Sequence, residues 1–301
     1  MLKIYLYSIF FCLILPALPY VQASEQINQT IKVPSTGHLF IDIDRGSVEV
    51  KGWDKNEILV LGELDNDSQT LMFKSKGEKT LIKIKISETS YRGNAHSSDG
   101  NELKVFVPHN VQVHFKGIDT DFNIAGIDAG VEGKTINGEL LIKNVHISIK
   151  VSSISGDINV TESYGIAYIE SIQGDTSIIG KFEDVKLRSV TGDIWANITE
   201  IDNLSTNNVA GDTKLVGDLK KDAQVKMTSV KGDLHYKAFG ILNAECKVAS
   251  QFGGEIVNNL TTDLPKTSHM QQQQLNFVAG DGSGILVMKT INGKAIIDRA
   301  Q

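Results

Sequence analysis

Thr135-Ile136-Asn137-Gly138-Glu139-Leu140-Leu141-Ile142, TINGELLI, decides the fold, because the chain keeps repeating it. SISGDINV (153–160), SIQGDTSI (171–178), SVTGDIWA (189–196), NVAGDTKL (208–215) and SVKGDLHY (229–236) follow. TINGKAII (290–297) restores the phrase after an interruption. Their glycines, Gly138, Gly156, Gly174, Gly192, Gly211 and Gly232, are spaced first by 18 residues, then by 19 and 21. A looser copy, SQFGGEI, carries Gly253, and the last copy carries Gly293. A period of this length belongs to a solenoid, in which each repeat buries its apolar face only by stacking on its neighbours.

Alignment on the glycines gives columns. Two residues before them stand Ile136, Ile154, Ile172, Val190, Val209, Val230 and Ile291, all β-branched. Two after stand Leu140, Ile158, Thr176, Ile194, Thr213, Leu234 and Ala295, and four after stand Ile142, Val160, Ile178, Ala196, Leu215, Tyr236 and Ile297. This period-two pattern marks strands with one face buried, and it places the columns at minus two, plus two and plus four inside. A further apolar column lies seven before the glycine, from Val131 and Ile149 to Leu286, with a partner five before it. The spacing of three from minus five to minus two then puts a corner at minus three, where Thr135, Ser153, Ser171, Ser189, Asn208, Ser229, Ser250 and Thr290 stand. Small hydroxyl and amide side chains suit such a bend. The expected fold is all-β: a single-stranded β-helix (β-solenoid) with about 18–21 residues per coil, coils stacked about 4.8 Å apart.

Residues 1–23 differ in kind. Lys3 is followed by an apolar run to Leu18 and by Val21-Gln22-Ala23 before Ser24-Glu25, the pattern of a secretory signal peptide cleaved after Ala23. Its apolar core is too short to span a bilayer, and no other run is long enough. Cys12 lacks the small residues that precede a lipidated cysteine. Loss of Lys3 takes the formal net charge from −6 to −7, which gives no electrostatic reason to bind nucleic acid or an anionic membrane. Cys246 is then the one remaining cysteine, so no intramolecular disulfide forms; it sits in an otherwise apolar column and is expected in the core.

Residues 24–117 show the repeat only in part. LFIDIDRGSVEVKGW (39–53) places Gly46 ahead of Val48 and Val50 as a degenerate first rung. ILVLG, TLMFKS, TLIKIKIS, ELKVFVP and VQVHFKG then suggest antiparallel strands or irregular wider coils, leading into the repeat solenoid at 118–301. Glu88–Asn101 and Asn258–Gln274 are polar excursions. TINGKAIID, as the last repeat, is expected to end the stack, covered by the second excursion or by another chain.

The signal peptide, a strand pair ending in Gly52-Trp53-Asp54, and the repeated Gly-Asp strands together resemble a large bacterial family of uncharacterised exported β-solenoid proteins labelled "putative adhesins". The resemblance implies a periplasmic, cell-surface or extracellular protein of the bacterial envelope. It implies partners such as envelope polysaccharide or protein, or self-association through a solenoid end.

Catalytic patterns are scarce. His38, His96, His109, His114, His146, His235 and His269 fall at no metal-ligand spacing, and Gly280-Asp281-Gly282-Ser283-Gly284 matches neither a phosphate loop nor a nucleophile elbow. Trp53 and Trp195 are candidate sugar platforms, Trp195 in an outward position. One column carries charge: Glu139, Asp157, Asp175, Asp193, Asp212 and Asp233 follow their glycines, with Lys294 at the far end. Each aspartate is expected to brace its own turn by accepting backbone hydrogen bonds. A ladder of divalent cations on Asp157, Asp175, Asp193, Asp212 and Asp233 is the alternative, without the spacing of a calcium-binding β-roll. No cofactor and no catalytic residue is expected. The function expected is a non-enzymatic adhesin or envelope scaffold. The alternative is a carbohydrate-active β-helix, for which the short rungs leave little loop to wall a groove.

Overall fold

The computed structural model describes residues 25–65, 68, 70–86, 100–268 and 271–300. Residues 1–23, expected as a signal peptide and including Cys12, and most of the 88–101 excursion lie outside the described residues. The chain is a stack of β coils with no helix among the described residues. Each coil contributes one strand before its glycine and one after it. The first pairs in parallel with its equivalents, as Ile149–Ser153 does with Val131–Thr135 and Ala167–Ser171. The second does the same, as Ile194–Ala196 does with Thr176–Ile178 and Thr213–Leu215.

The columns at minus seven, plus two and plus four are buried throughout, from Val131, Leu140 and Ile142 to Leu286, Ala295 and Ile297. Two adjacent columns lie opposite to the sequence expectation. The residues at minus three are the buried ones: Thr135, Ser153, Ser171, Ser189, Asn208, Ser229, Ser250 and Thr290 are all at most 5% exposed. The β-branched residues at minus two face outward. Alternation therefore runs unbroken from minus seven to minus two, and the corner is at the glycine itself. In the six coils from Gly138 to Gly232 φ there is positive, from 117° at Gly174 to 148° at Gly232. A Cβ on Gly192 would also stand 2.2 Å from the carbonyl oxygen of Gly174 in the coil below, so the turn excludes any side chain on two grounds.

Some of the buried hydroxyls and amides have a task at this corner, while Ser153 Oγ and Ser229 Oγ have no hydrogen-bond partner among the described residues. Ser250 Oγ donates to Gly293 O at 2.8 Å, Asn208 Nδ2 to Gly192 O at 3.0 Å, and Thr290 Oγ1 to Gly232 O at 3.1 Å. They satisfy corner carbonyls that the sheet leaves without partners.

The stacking order is not the sequence order at either end. The strand Gly284–Asn292 pairs in parallel with Leu219–Lys231 on one side and with Ala244–Ser250 on the other, and Ala295–Arg299 lies likewise between Leu234–Ala238 and Ile256–Asn258. TINGKAII is thus an interior rung, not the end of the stack, which corrects the expectation. The looser copy lies outside it, with Gly254, rather than Gly253, against Gly293 O. Gln273–Ala279 closes that end by pairing antiparallel with Ala244–Ser250, and Lys266–Thr267 of the excursion extends the closing strand. The other end repeats the device. The strand Gly37–Trp53, carrying the degenerate rung, lies between Val111–Ile127 on one side and Lys79–Ile84 with Asn101–Pro108 on the other, all parallel. Met72–Lys76, Glu57–Leu64 and Glu25–Lys32 then cap the edge antiparallel, so the N-terminal region holds both strand types. The strand Val111–Ile127 crosses residues 117–118 without a break, and one apolar core runs from Ile27 to Ile297. Cys246 is in that core, 1% exposed, and burial pushes its thiol up to about 12.

Candidate functional site

Two outer surfaces meet at the glycine corner. The acidic column occupies the corner edge, where its carboxylates act between coils rather than within their own turns. Asp157 Oδ1 accepts the backbone N–H of Asp175 at 2.8 Å, Asp175 that of Asp193 at 2.8 Å, and Asp193 that of Asp212 at 2.7 Å. Asp212 then accepts from Asp233, and Asp233 from Lys294, at 2.8 and 2.7 Å. Below them Asp121 accepts from Glu139 at 2.8 Å. The expectation of a brace within each turn is corrected: each aspartate is a staple to the next coil. The side chain stands where the next corner N–H has no ladder carbonyl to meet, and a carboxylate two bonds from the backbone has the reach. The five aspartates considered as a cation ladder each commit one oxygen to this bond. Among the described residues no three or more of His, Cys, Asp and Glu are grouped so as to hold a metal ion.

The second surface is the outer face before the glycine. An open trough of about 590 Å³ runs across several coils there, lined by His114, Lys134, Lys150, Tyr168, Lys186 and Arg188 among others. Its cations are partly matched: Lys150 Nζ lies 3.2 Å from Glu132 Oε1 and Arg188 Nη1 3.2 Å from Glu170 Oε1. Lys186 Nζ sits 4.6 Å from the centre of the Tyr168 ring, whose hydroxyl donates to Asp184 at 2.7 Å. These residues alternate with buried ones along each strand, so stacking alone assembles the trough.

Folding also brings together groups that sequence spacing kept apart. His38 Nδ1 and His114 Nε2 are 3.0 Å apart, and Phe40 stacks on His114 with ring centres 4.7 Å apart. Burial, then the neighbouring His38, holds His114 below the usual histidine range, against the pull of Glu132. The register joining Phe40 to His114 was the missing signal, since His38 and His114 are separated by 76 positions. His109 bonds Gly126 O at 2.6 Å, and His146 stacks on Tyr164 and reaches Asp128 at 2.6 Å. His235 lies 3.8 Å from Asp298, and His96 and His269 are outside the described residues. Trp195 is outward and 40% exposed, as expected. Trp53 is a packing residue, its Nε1 donating to Glu57 O at 2.8 Å and its ring against Phe106.

The family model described as Toastrack DUF4097 matches residues 36–252, nearly the whole stack up to the looser copy. The chain belongs to the Toastrack DUF4097 family. This Toastrack protein also resembles solved structures, at identities that speak to the fold alone. A "putative adhesin" from Parabacteroides distasonis is 12% identical over 92% of this chain and 97% of its own, with a TM-score of 0.50. A "putative adhesin" from Bacteroides fragilis is 13% identical over 92% and 97%, with a TM-score of 0.46. A "putative lipid binding protein" from Parabacteroides distasonis is 13% identical over 93% and 98%, with a TM-score of 0.45. No curated protein matches the chain. No helix among the described residues is long and apolar enough to cross a membrane.

Proposed function

We propose that this Toastrack protein is an exported, non-catalytic adhesin or scaffold of the bacterial envelope that holds an extended polymer against its ribbed outer face. One observation carries the reading. The side chains facing out form straight columns at coil spacing, and the trough over Lys134, Lys150, Tyr168, Lys186 and Arg188 crosses several coils with its lining drawn from strand residues. Such a surface meets a long ligand at many equivalent points, each weak alone, and avidity supplies the affinity. Cations beside an aromatic ring suit a polysaccharide carrying acidic groups, with Tyr168 as the stacking platform. The pattern of residues 1–23 supports export, with 24–301 as the mature chain.

The test uses residues 24–301 against envelope polysaccharides and purified cell walls, following retention and release of soluble fragments together. Retention without fragment release, lost in Lys150→Glu plus Lys186→Glu, is expected. Fragment release would make the protein a carbohydrate-active β-helix instead. Failure to retain any envelope material would refute the adhesin.

A further inference from the structure

The residues two before each glycine were expected in the core and are instead a continuous aliphatic stripe on the surface. Ile136, Ile154, Ile172, Val190, Val209, Val230 and Ile291 are between 39% and 46% exposed. Half-buried Ile118 begins the stripe and exposed Gln251 ends it. Its members stack directly, because the residues on either side of each are register partners, as Ser153 and Ser155 are with Thr135 and Asn137. Eight aliphatic members span about 34 Å at the usual strand spacing. An unbroken apolar line of that length, edged by charge, marks an interaction surface on a soluble protein.

The two flanks of the stripe differ in sign. Beyond the corner lies the acidic edge, Asp121, Glu139, Asp157, Asp175, Asp193, Asp212 and Asp233. On the other side, the column four before the glycine holds Lys116, Lys134, Arg188 and Lys289, with Glu170 as its single acid. We propose that a second copy of this chain covers the stripe, in a two-fold dimer whose axis runs along the stack. That axis sets each stripe residue against its own equivalent and each coil beside the same coil. It also carries the acidic edge of one copy over the basic column of the other. A two-fold perpendicular to the stack would oppose acid to acid, so charge complementarity selects the parallel arrangement.

In that register Lys116 faces Asp121 of the second copy, Lys134 faces Glu139, and Arg188 faces Asp193. Two like-charge pairs oppose it, Glu170 with Asp175 and Lys289 with Lys294. Each is relieved within its own chain, because Arg188 holds Glu170 at 3.2 Å and Glu255 holds Lys294 at 3.2 Å. From the basic column to the acidic edge the footprint is about 34 Å by about 17 Å, or about 1,100 Å² for both copies. That is just above the roughly 1,000 Å² a biological interface needs, so the dimer is concentration-dependent. Lys134 and Arg188 of the trough face the second copy in this dimer, whereas Lys150, Tyr168 and Lys186 lie one column further out and remain free for the polymer of the preceding section. The dimer does not depend on that polymer.

Sedimentation velocity on residues 24–301 over a concentration series tests the interface. A monomer–dimer equilibrium is expected, weakened about tenfold or more by Ile172→Thr plus Val190→Thr, with circular dichroism and melting unchanged in dilute solution. Lys134→Glu alone and Glu139→Lys alone should each weaken it, and an equimolar mixture of the two should restore it, because the mixed dimer regains both pairs. Ile172→Cys should oxidise to a covalent dimer, native Cys246 being buried. A monomer at every concentration, a dimer indifferent to the threonine pair, or a mixture that fails to restore it would each overturn the proposal. So would a monomer that floats with phosphatidylcholine vesicles through the stripe, which would make an acyl chain the occupant.

Discussion

Ile194→Ala and Val190→Ala test the corner directly, because the two residues are four apart, both β-branched and on opposite sides of the wall. Ile194 is 1% exposed and packs in the column with Thr176 and Thr213, whereas Val190 is 46% exposed. Truncating a fully buried isoleucine costs about 2–5 kcal/mol, the transfer term plus the cavity it leaves. At Val190 only a partly covered side chain and its strand preference are lost, under about 1 kcal/mol. For a chain of this size 1 kcal/mol corresponds to roughly 2–4 °C, so Ile194→Ala should lower the melting temperature by roughly 4–20 °C and Val190→Ala by under about 4 °C. Melting is followed by circular dichroism and by the fluorescence of adjacent Trp195, in dilute solution so that self-association does not contribute. Coincident traces show whether the coil melts with its neighbours or separately, as a stack coupled only between neighbours permits. Equal losses at the two sites would refute the alternation across minus three and return the corner to where the sequence pattern had put it.

Other expectations follow from the same geometry. Thr176 and Thr213 bury hydroxyls without hydrogen-bond partners, so Thr176→Val with Thr213→Val should raise the melting temperature; a fall would mean that those hydroxyls are satisfied. Asp175→Asn keeps the oxygen that accepts the Asp193 N–H and should be near neutral, while Asp175→Ala should cost about 1 kcal/mol; matching melts for the two would remove the staple. Calcium should stabilise no more than sodium at equal ionic strength, and a rise that chelator reverses would revive the cation ladder. His114 is held low by burial first and then by His38, and His235 by burial and then by Lys237. Since their folded values lie below the unfolded 6.5, the unfolded chain binds protons first; stability falls as pH drops through about 6.5 and levels off below the folded values. Melting between pH 8 and pH 5 should therefore flatten in His114→Gln plus His235→Gln, and an unchanged slope would contradict the assignment.

Much of this protein follows from local chemistry that is written once per repeat. The period, the β-branched columns and the glycine before an acid specify a stacked β coil, because each acts within a few residues or on an identical neighbour. Leu140, Ile158, Ile194 and the minus-seven column were legible for the same reason: alternation along a strand has a fixed parity. That parity does not carry across a corner, where a glycine at φ of 117–148° re-aims the chain, so Ile172 and Ser171 exchanged sides once the backbone was built. Their composition gave little warning, since a buried serine satisfying a corner carbonyl and a serine at an exposed bend look alike in sequence. Nor could the sequence order the coils. Every rung offers nearly the same edge, and only the pairing of whole strands sets TINGKAII between SVKGDLHY and SQFGGEI, or Gly37–Trp53 between strands that follow it in the chain. The candidate surfaces share that origin: the trough, the His38–His114 contact and the aliphatic stripe each join residues a coil or more apart, and only tertiary stacking fixes which of them meet.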